Sequence, residues 1–271
     1  MRIEALQAGR AIAALAVVAF HAHLYLPTAD FLLFGKHGVD FFFVLSGFII
    51  SHVAGRTFAP AKFLRDRAIR IFVPYLPVGI AAAIGYSVTG IASEWNWNWF
   101  SSLTLLPSDG RPALTVAWTL QRELIFYAFA AVFFWSGRPM LLASLWAAAI
   151  LARMTAVAPL GYVEEMFLGP INIEFVAGIA LYRLISTEWL ASIPVPNLLG
   201  RLGDASYALY LVHLPVMGIL WRIDAGFVAL VIASVAAALA YHWAFERPAL
   251  AWLKGRHRTE TRQLLDPHLR A

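Results

Sequence analysis

The sequence predicts an all-α fold, a polytopic transmembrane helical bundle of about eight spans with both termini cytoplasmic. Three observations point there. Hydrophobic residues make up 61% of the chain and charged residues only 14%, against roughly 25% charged in soluble domains. Apolar runs near the ~20 residues needed to cross a bilayer recur along the chain as far as Phe245. Lys and Arg gather at alternate ends of those runs, which is how positive charge marks the cytoplasmic side.

The first apolar run, Gln7 to Leu26, carries Arg10 and lacks a small-residue cleavage site, so it reads as a retained span and not a removed signal peptide. A turn with Pro27, Asp30, Gly35 and Gly38 leads to the second, Val39 to Ala54, and a basic stretch with Arg56, Lys62, Arg65, Arg67 and Arg70 follows. The third, Ile71 to Val88, has Pro74 and Pro77 in its first turns, which predicts a kink or a late start. In the connection from Gly90 to Thr115, Trp95, Trp97 and Trp99 alternate with Asn96 and Asn98. That pattern suits a headgroup-level belt, with sugar stacking as the sharper alternative.

The remaining spans are Ala117 to Ser136, Met140 to Ala158, Leu168 to Ile185, Ala205 to Trp221 and Gly226 to Phe245. Of 21 Lys and Arg, five (Lys36, Arg111, Arg122, Arg153 and Arg222) fall on the outer side of this arrangement and the rest on the cytoplasmic side. The reading is one integral-membrane domain, 1–250, followed by a basic cytoplasmic tail, 251–271, that serves as a solvated or lipid-facing anchor. A net charge of +5 and a pI near 9.7 are explained by this topology without nucleic acid. With no cysteine, disulfides, thiolate metal sites and a Cys nucleophile are excluded. The histidines are dispersed over different spans, so no metal site is predicted.

Ionisable residues inside spans are costly and by default functional. Arg10 and His21 are eleven residues apart. In an α-helix that is about three turns plus 20°, so they share one face about 16 Å apart. The plain alternative is an Arg snorkelling at one end and an interfacial His at the other. Counting depth from span starts places Asp40, Glu123 and Glu174 in an outer layer with His21, while Arg10, Arg67, Arg70 and Asp204 lie near the cytoplasmic face. Arg67 and Arg70 share a helical face if the third span begins early. Guanidiniums there suit phosphate, although ordinary cytoplasmic anchoring produces the same pattern. His21 suits a general base near neutral pH.

Taken together, the motifs resemble the membrane-bound acyltransferase-3 family. Arg10 and His21 match its Arg, ten residues, His signature, and Phe42, Phe43, Ser46 and Gly47 its FFxxSG pattern. Arg67 and Arg70 match RxxR, and WTLQRELIFY, with Glu123, resembles WSLxxExxFY. GDASYALYLVH supplies Ser206, Tyr207, Tyr210 and His213, and FERP from Phe245 to Pro248 resembles the closing motif. The finer likeness is to the exopolysaccharide-acetylating branch.

The resemblance implies a multi-pass enzyme of a bacterial inner (plasma) membrane that moves an acyl group, usually acetyl, from cytoplasmic acyl-CoA to a hydroxyl of a cell-surface or secreted glycan. It has no permanently bound cofactor. Acyl-CoA, the glycan acceptor, lipid and polysaccharide-biosynthesis proteins are the implied partners. His21 becomes the catalytic base or acyl relay and Glu123 a supporting acid, with Arg10, Arg67 and Arg70 on the CoA phosphates. Ser46 and Gly47 serve close packing or ligand contact, and Tyr207, Tyr210 and His213 read equally as a buried hydrogen-bonded patch.

One departure is the span count, since members usually have about ten and only a short connection joins Arg183 to Asp204 here. A transporter or flippase-like protein and a noncatalytic truncated member are the competing readings. Intramembrane His and carboxylates also mark proton paths, but no inverted repeat is seen.

Overall fold

The computed structural model describes residues 3–54, 58–90, 96–155 and 160–255. The predicted tail beyond Gly255, together with Arg56 and Trp95, lies outside the described residues. Helices dominate: α1 (Glu4–Tyr25), α2 (Gly38–Val53), α3 (Pro60–Thr89), α4 (Trp99–Thr104), α5 (Trp118–Trp135), α6 (Pro139–Met154), α7 (Tyr162–Leu168), α8 (Ile173–Leu184), α9 (Thr187–Ser192), α10 (Asn197–Asp204), α11 (Ser206–Trp221) and α12 (Phe227–Tyr241). Among the described residues the only β-type pairing is an isolated bridge between Trp97 and Arg111.

Each expected span has an apolar helical counterpart. Among the described residues six stretches are long and apolar enough to cross a membrane: Glu4–Tyr25, Asp30–Val53, Pro60–Thr89, Thr115–Trp135, Tyr162–Leu184 and Phe227–Gly255. Pro139–Met154 and Ser206–Trp221 are apolar but only 16 residues each, about 24 Å of helix.

Boundaries differ where a local feature overrides hydropathy. α3 begins at Pro60, eleven residues before the apolar run, so its basic first turns are helical. Proline at the first helical position forfeits no hydrogen bond. Pro74 and Pro77 lie within α3 without ending it, and the Pro74 carbonyl accepts the Tyr241 hydroxyl at 2.7 Å. The sixth span is broken at Gly169, where α7 gives way to a 3-10 turn, Pro170–Asn172, before α8. The last helix passes through a π turn, His242–Glu246, in which His242 Nδ1 and Glu246 Oε2 lie 2.8 Å apart.

Small residues set the closest crossings. α2 and α8 meet at Gly47 and Gly178: a Cβ on Gly47 would strike the Phe175 carbonyl oxygen, and one on Gly178 the Val44 carbonyl oxygen. Backbone-to-backbone approach of this kind maximises packing where no hydrophobic driving force separates helix from lipid. An aromatic core lies beside it, with Phe175 stacked on Phe126 at 4.1 Å between ring centroids and tilted against Phe43 at 4.6 Å. α1 is the central helix, its buried face made of Ala11, Ala14, Val17, Val18 and Ala22 and packed against α2, α10, α11 and α12.

The connection after α3 is folded. Asn98 caps α4 by accepting the Ser101 N–H at 2.7 Å, Ser101 Oγ donates to the Gly110 carbonyl at 2.8 Å, and Tyr75 and Gln121 side chains reach the Ser102 and Leu106 carbonyls. Trp97 packs against Trp99 and Tyr86, and Trp99 is 43% exposed.

Candidate active site

Two adjoining cavities lie in the bundle. The first, about 300 Å³, is lined by Arg10, Arg67, Arg70, Glu123, Tyr127 and Ser206, with apolar walls from α2. The second, about 310 Å³, is lined by His21, Lys36, His37, Asp40, Trp118 and Ile171. Val39, Thr119 and Tyr210 line both. The shared wall is hydrogen-bonded: the Tyr210 and Thr119 hydroxyls lie 2.5 Å apart, and both reach the Val116 carbonyl oxygen.

In the first cavity, Arg10 Nε donates to Ser206 Oγ at 3.1 Å. Arg67 lies 5.5 Å from the Phe63 ring centroid and 5.7 Å from that of Tyr127. These cation–π contacts hold the guanidinium while leaving its N–H donors available. Arg70 makes no hydrogen bond to the described residues and is exposed. Glu123 Oε1 accepts from Ser46 Oγ at 3.1 Å and from the Tyr127 hydroxyl. Gln7 also lines this cavity, and its buried Oε1 has no hydrogen-bond partner. Three guanidiniums and apolar walls suit an amphipathic polyanion.

In the second cavity, His21 Nδ1 is held 2.9 Å from the Val17 carbonyl oxygen, one helical turn back. Among the described residues its Nε2 has no partner, which leaves that nitrogen as the reactive face. His37 Nδ1 pairs with Asp40 Oδ2 at 2.5 Å. Among the described residues no group of three His, Cys, Asp or Glu is arranged to hold a metal ion.

Arg10, Arg67 and Arg70 line one cavity, and the early start of α3 places Arg67 and Arg70 in one continuous helix, as their shared face requires. The structure departs from the single outer layer of His21 with three carboxylates. Asp40 lines the His21 cavity, Glu123 lines the arginine cavity, and Glu174 lines neither. The reason lies in α5, where Thr119 sits at the shared wall and Glu123 follows four residues deeper, about 6 Å along the axis. Counting residues from a span start does not register one helix against another.

Ser46 and Gly47 divide the two readings of their motif, since Ser46 binds Glu123 while Gly47 packs on α8. Tyr207 lines the arginine cavity and donates to the Ile71 carbonyl at 3.0 Å. Thr119 and Tyr127 were not singled out from sequence. Their positions at i−4 and i+4 from Glu123 on one helical face were the available signal.

The family model described as an acyltransferase domain matches residues 3–187. The exopolysaccharide production protein ExoZ of Rhizobium meliloti (strain 1021) is 31% identical over 211 residues, covering 73% of this chain and 64% of the relative. The chain thus spans just under two thirds of that relative's length. No solved structure matches.

Proposed function

Because the chain belongs to the acyltransferase-3 family, we propose that it is a membrane O-acyltransferase that passes an acetyl group from acetyl-CoA to a hydroxyl of an exopolysaccharide or related glycan. One observation carries the reading: a cavity bearing three guanidiniums abuts a cavity bearing an accessible imidazole nitrogen, with only Val39, Thr119 and Tyr210 common to both. The first chamber takes the donor from the cytoplasmic side, its arginines on the CoA phosphates and its apolar wall along the pantetheine arm. The second takes the acceptor hydroxyl from the opposite side.

In the proposed step, His21 Nε2 accepts the hydroxyl proton as the oxygen attacks the thioester carbonyl. The tetrahedral intermediate collapses with cleavage of the C–S bond, and the imidazolium returns the proton to the departing thiolate. Glu123 orders the donor chamber through Ser46 and Tyr127 and offsets part of its positive charge. The exopolysaccharide link rests on what the relative's name says of that relative.

Mass spectrometry of surface and secreted glycans tests the reading in cells carrying the wild-type gene, a deletion and His21→Ala. An acyl mass absent from both mutants and restored by complementation is expected. Identical glycans in all three strains under expressing conditions would sink it.

A further inference from the structure

The second chamber contains only part of the apparatus around His21. Behind the ring lies His213 on α11, fully buried, with its Nε2 3.3 Å from His21 Nδ1 and the ring centroids 4.9 Å apart. His213 lines neither cavity, so it does not meet a substrate there.

The protons in this pair follow from the acceptors around it. A backbone carbonyl oxygen only accepts hydrogen bonds. His21 Nδ1 lies 2.9 Å from the Val17 carbonyl oxygen, and His213 Nδ1 lies 3.0 Å from that of Leu209. Both Nδ1 atoms therefore carry hydrogen. A neutral imidazole has one N–H, so His213 Nε2 is a bare lone pair directed at the His21 Nδ1–H. The opposite assignment, with His213 donating, would set a His21 lone pair against the Val17 carbonyl lone pairs at 2.9 Å. One His21 Nδ1–H is thus shared between Val17 O and His213 Nε2.

We infer that His213 is a positioning residue for the acyl transfer: it fixes His21 in the Nδ1–H tautomer, presents Nε2 to the acceptor chamber, and supports the imidazolium that forms there. Protonation of Nε2 makes Nδ1–H a stronger donor, and His213 supplies a second acceptor for it in a buried setting. A carboxylate commonly fills this place behind a catalytic histidine. Among the described residues no carboxylate is hydrogen-bonded to His21, and a neutral imidazole occupies the place. The arrangement originates in the helices, since each ring bonds the carbonyl four residues before it in its own helix, and the packing of α1 against α11 brings the two rings together.

This inference rests on His21 being the base, and its test separates the two. Purified protein in detergent is assayed with acetyl-CoA by thiol-reagent detection of released CoA, and ¹⁵N-histidine spectra of the resting protein are assigned with His21→Ala and His213→Asn. The spectra are expected to show Nδ1 protonated and Nε2 unprotonated in both rings. A His21 protonated at Nε2 would overturn the inference.

His213→Asn retains an amide donor for Leu209 O but withdraws the acceptor from His21. It should lower kcat about tenfold with an unchanged acetyl-CoA KM. His213→Gln, whose amide oxygen reaches the former Nε2 position, should recover most of that loss. Wild-type kcat in His213→Asn beside an inactive His21→Ala would remove the positioning role and leave the base intact. Full activity in His21→Ala would remove the base itself.

Discussion

Glu123 gives the sharpest test of the arginine chamber, because replacing it by alanine and by glutamine separates geometry from charge. In Glu123→Ala, Ser46 Oγ and the buried Tyr127 hydroxyl lose their shared acceptor. Two hydrogen bonds at the ~0.6 kcal/mol average found between transmembrane helices would cost just over ~1 kcal/mol. Two bonds to an ionised group cost about 3 kcal/mol even at the lower end. The larger figure applies here, because among the described residues lining the cavity Glu123 is the one carboxylate beside three guanidiniums, and its loss leaves them without that counter-charge. Glu123→Gln keeps an oxygen acceptor and should stay within about 1 kcal/mol of wild type. Denaturant titration in detergent reads the stability arm. CoA release with a thiol reagent reads the activity arm free of protein background, since the chain has no cysteine. Glu123→Gln should lower the acetyl-CoA KM, because an anion competing with the phosphates is gone, and change kcat less than KM. A loss below about 1 kcal/mol in Glu123→Ala, or equal losses in both variants, would refute the account of Glu123 as an acceptor ordering the arginine chamber.

Two further outcomes follow from the same geometry. Arg67→Ala and Arg70→Ala should each raise the acetyl-CoA KM by about tenfold or more while lowering kcat less, as expected for a lost charge-assisted phosphate contact; initial rates across acetyl-CoA concentrations check this. Gly178→Val should prevent the α2–α8 crossing, because its Cβ falls on the Val44 carbonyl oxygen, and cost more than about 2 kcal/mol; monodisperse yield in detergent reads the loss. Gly85→Ala is the matched control, since a Cβ there meets nothing within 4 Å and helix propensity favours the change by up to about 1 kcal/mol.

Hydropathy made the apolar helices legible because lipid imposes nearly the same requirement on every span. The arginine cluster was equally legible, since Arg67 and Arg70 are three residues apart and need only a continuous helix to share a face. What sequence did not show was the registration of one helix against the next. Glu123 and His21 appear level when each is counted from its own span start, yet Thr119 at the shared wall and Glu123 one turn deeper put them in different chambers. That offset depends on the 3-10 turn at Thr115–Ala117 and on the folded segment before it, neither of which has an apolar period to reveal it. The His21–His213 pairing was hidden for a related reason: the motif places His213 seven residues after Ser206, but only tertiary packing shows which residue of α1 it meets.

The contacts between α1 and its late partners explain how both chambers hold their alignment. Gly203 lies against the Gln7 carbonyl, and three residues farther along each chain Arg10 binds Ser206. The two segments advance in step, with a constant separation of 196 positions. At the far end the His21–His213 separation is 192, four fewer, or about one helical turn. α1 therefore travels a turn more than α11 between the two contacts, as expected when helices running in one direction cross at an angle and side chains of unequal reach close the gap. Tyr210, one turn after Ser206 and nearly one before His213, falls at the wall shared by the chambers. Two helices thus carry an arginine of the first chamber, part of the wall shared by both, and the histidine of the second. The short α10 segment packs on α1 where this registration begins, with Gly203 against the Gln7 carbonyl.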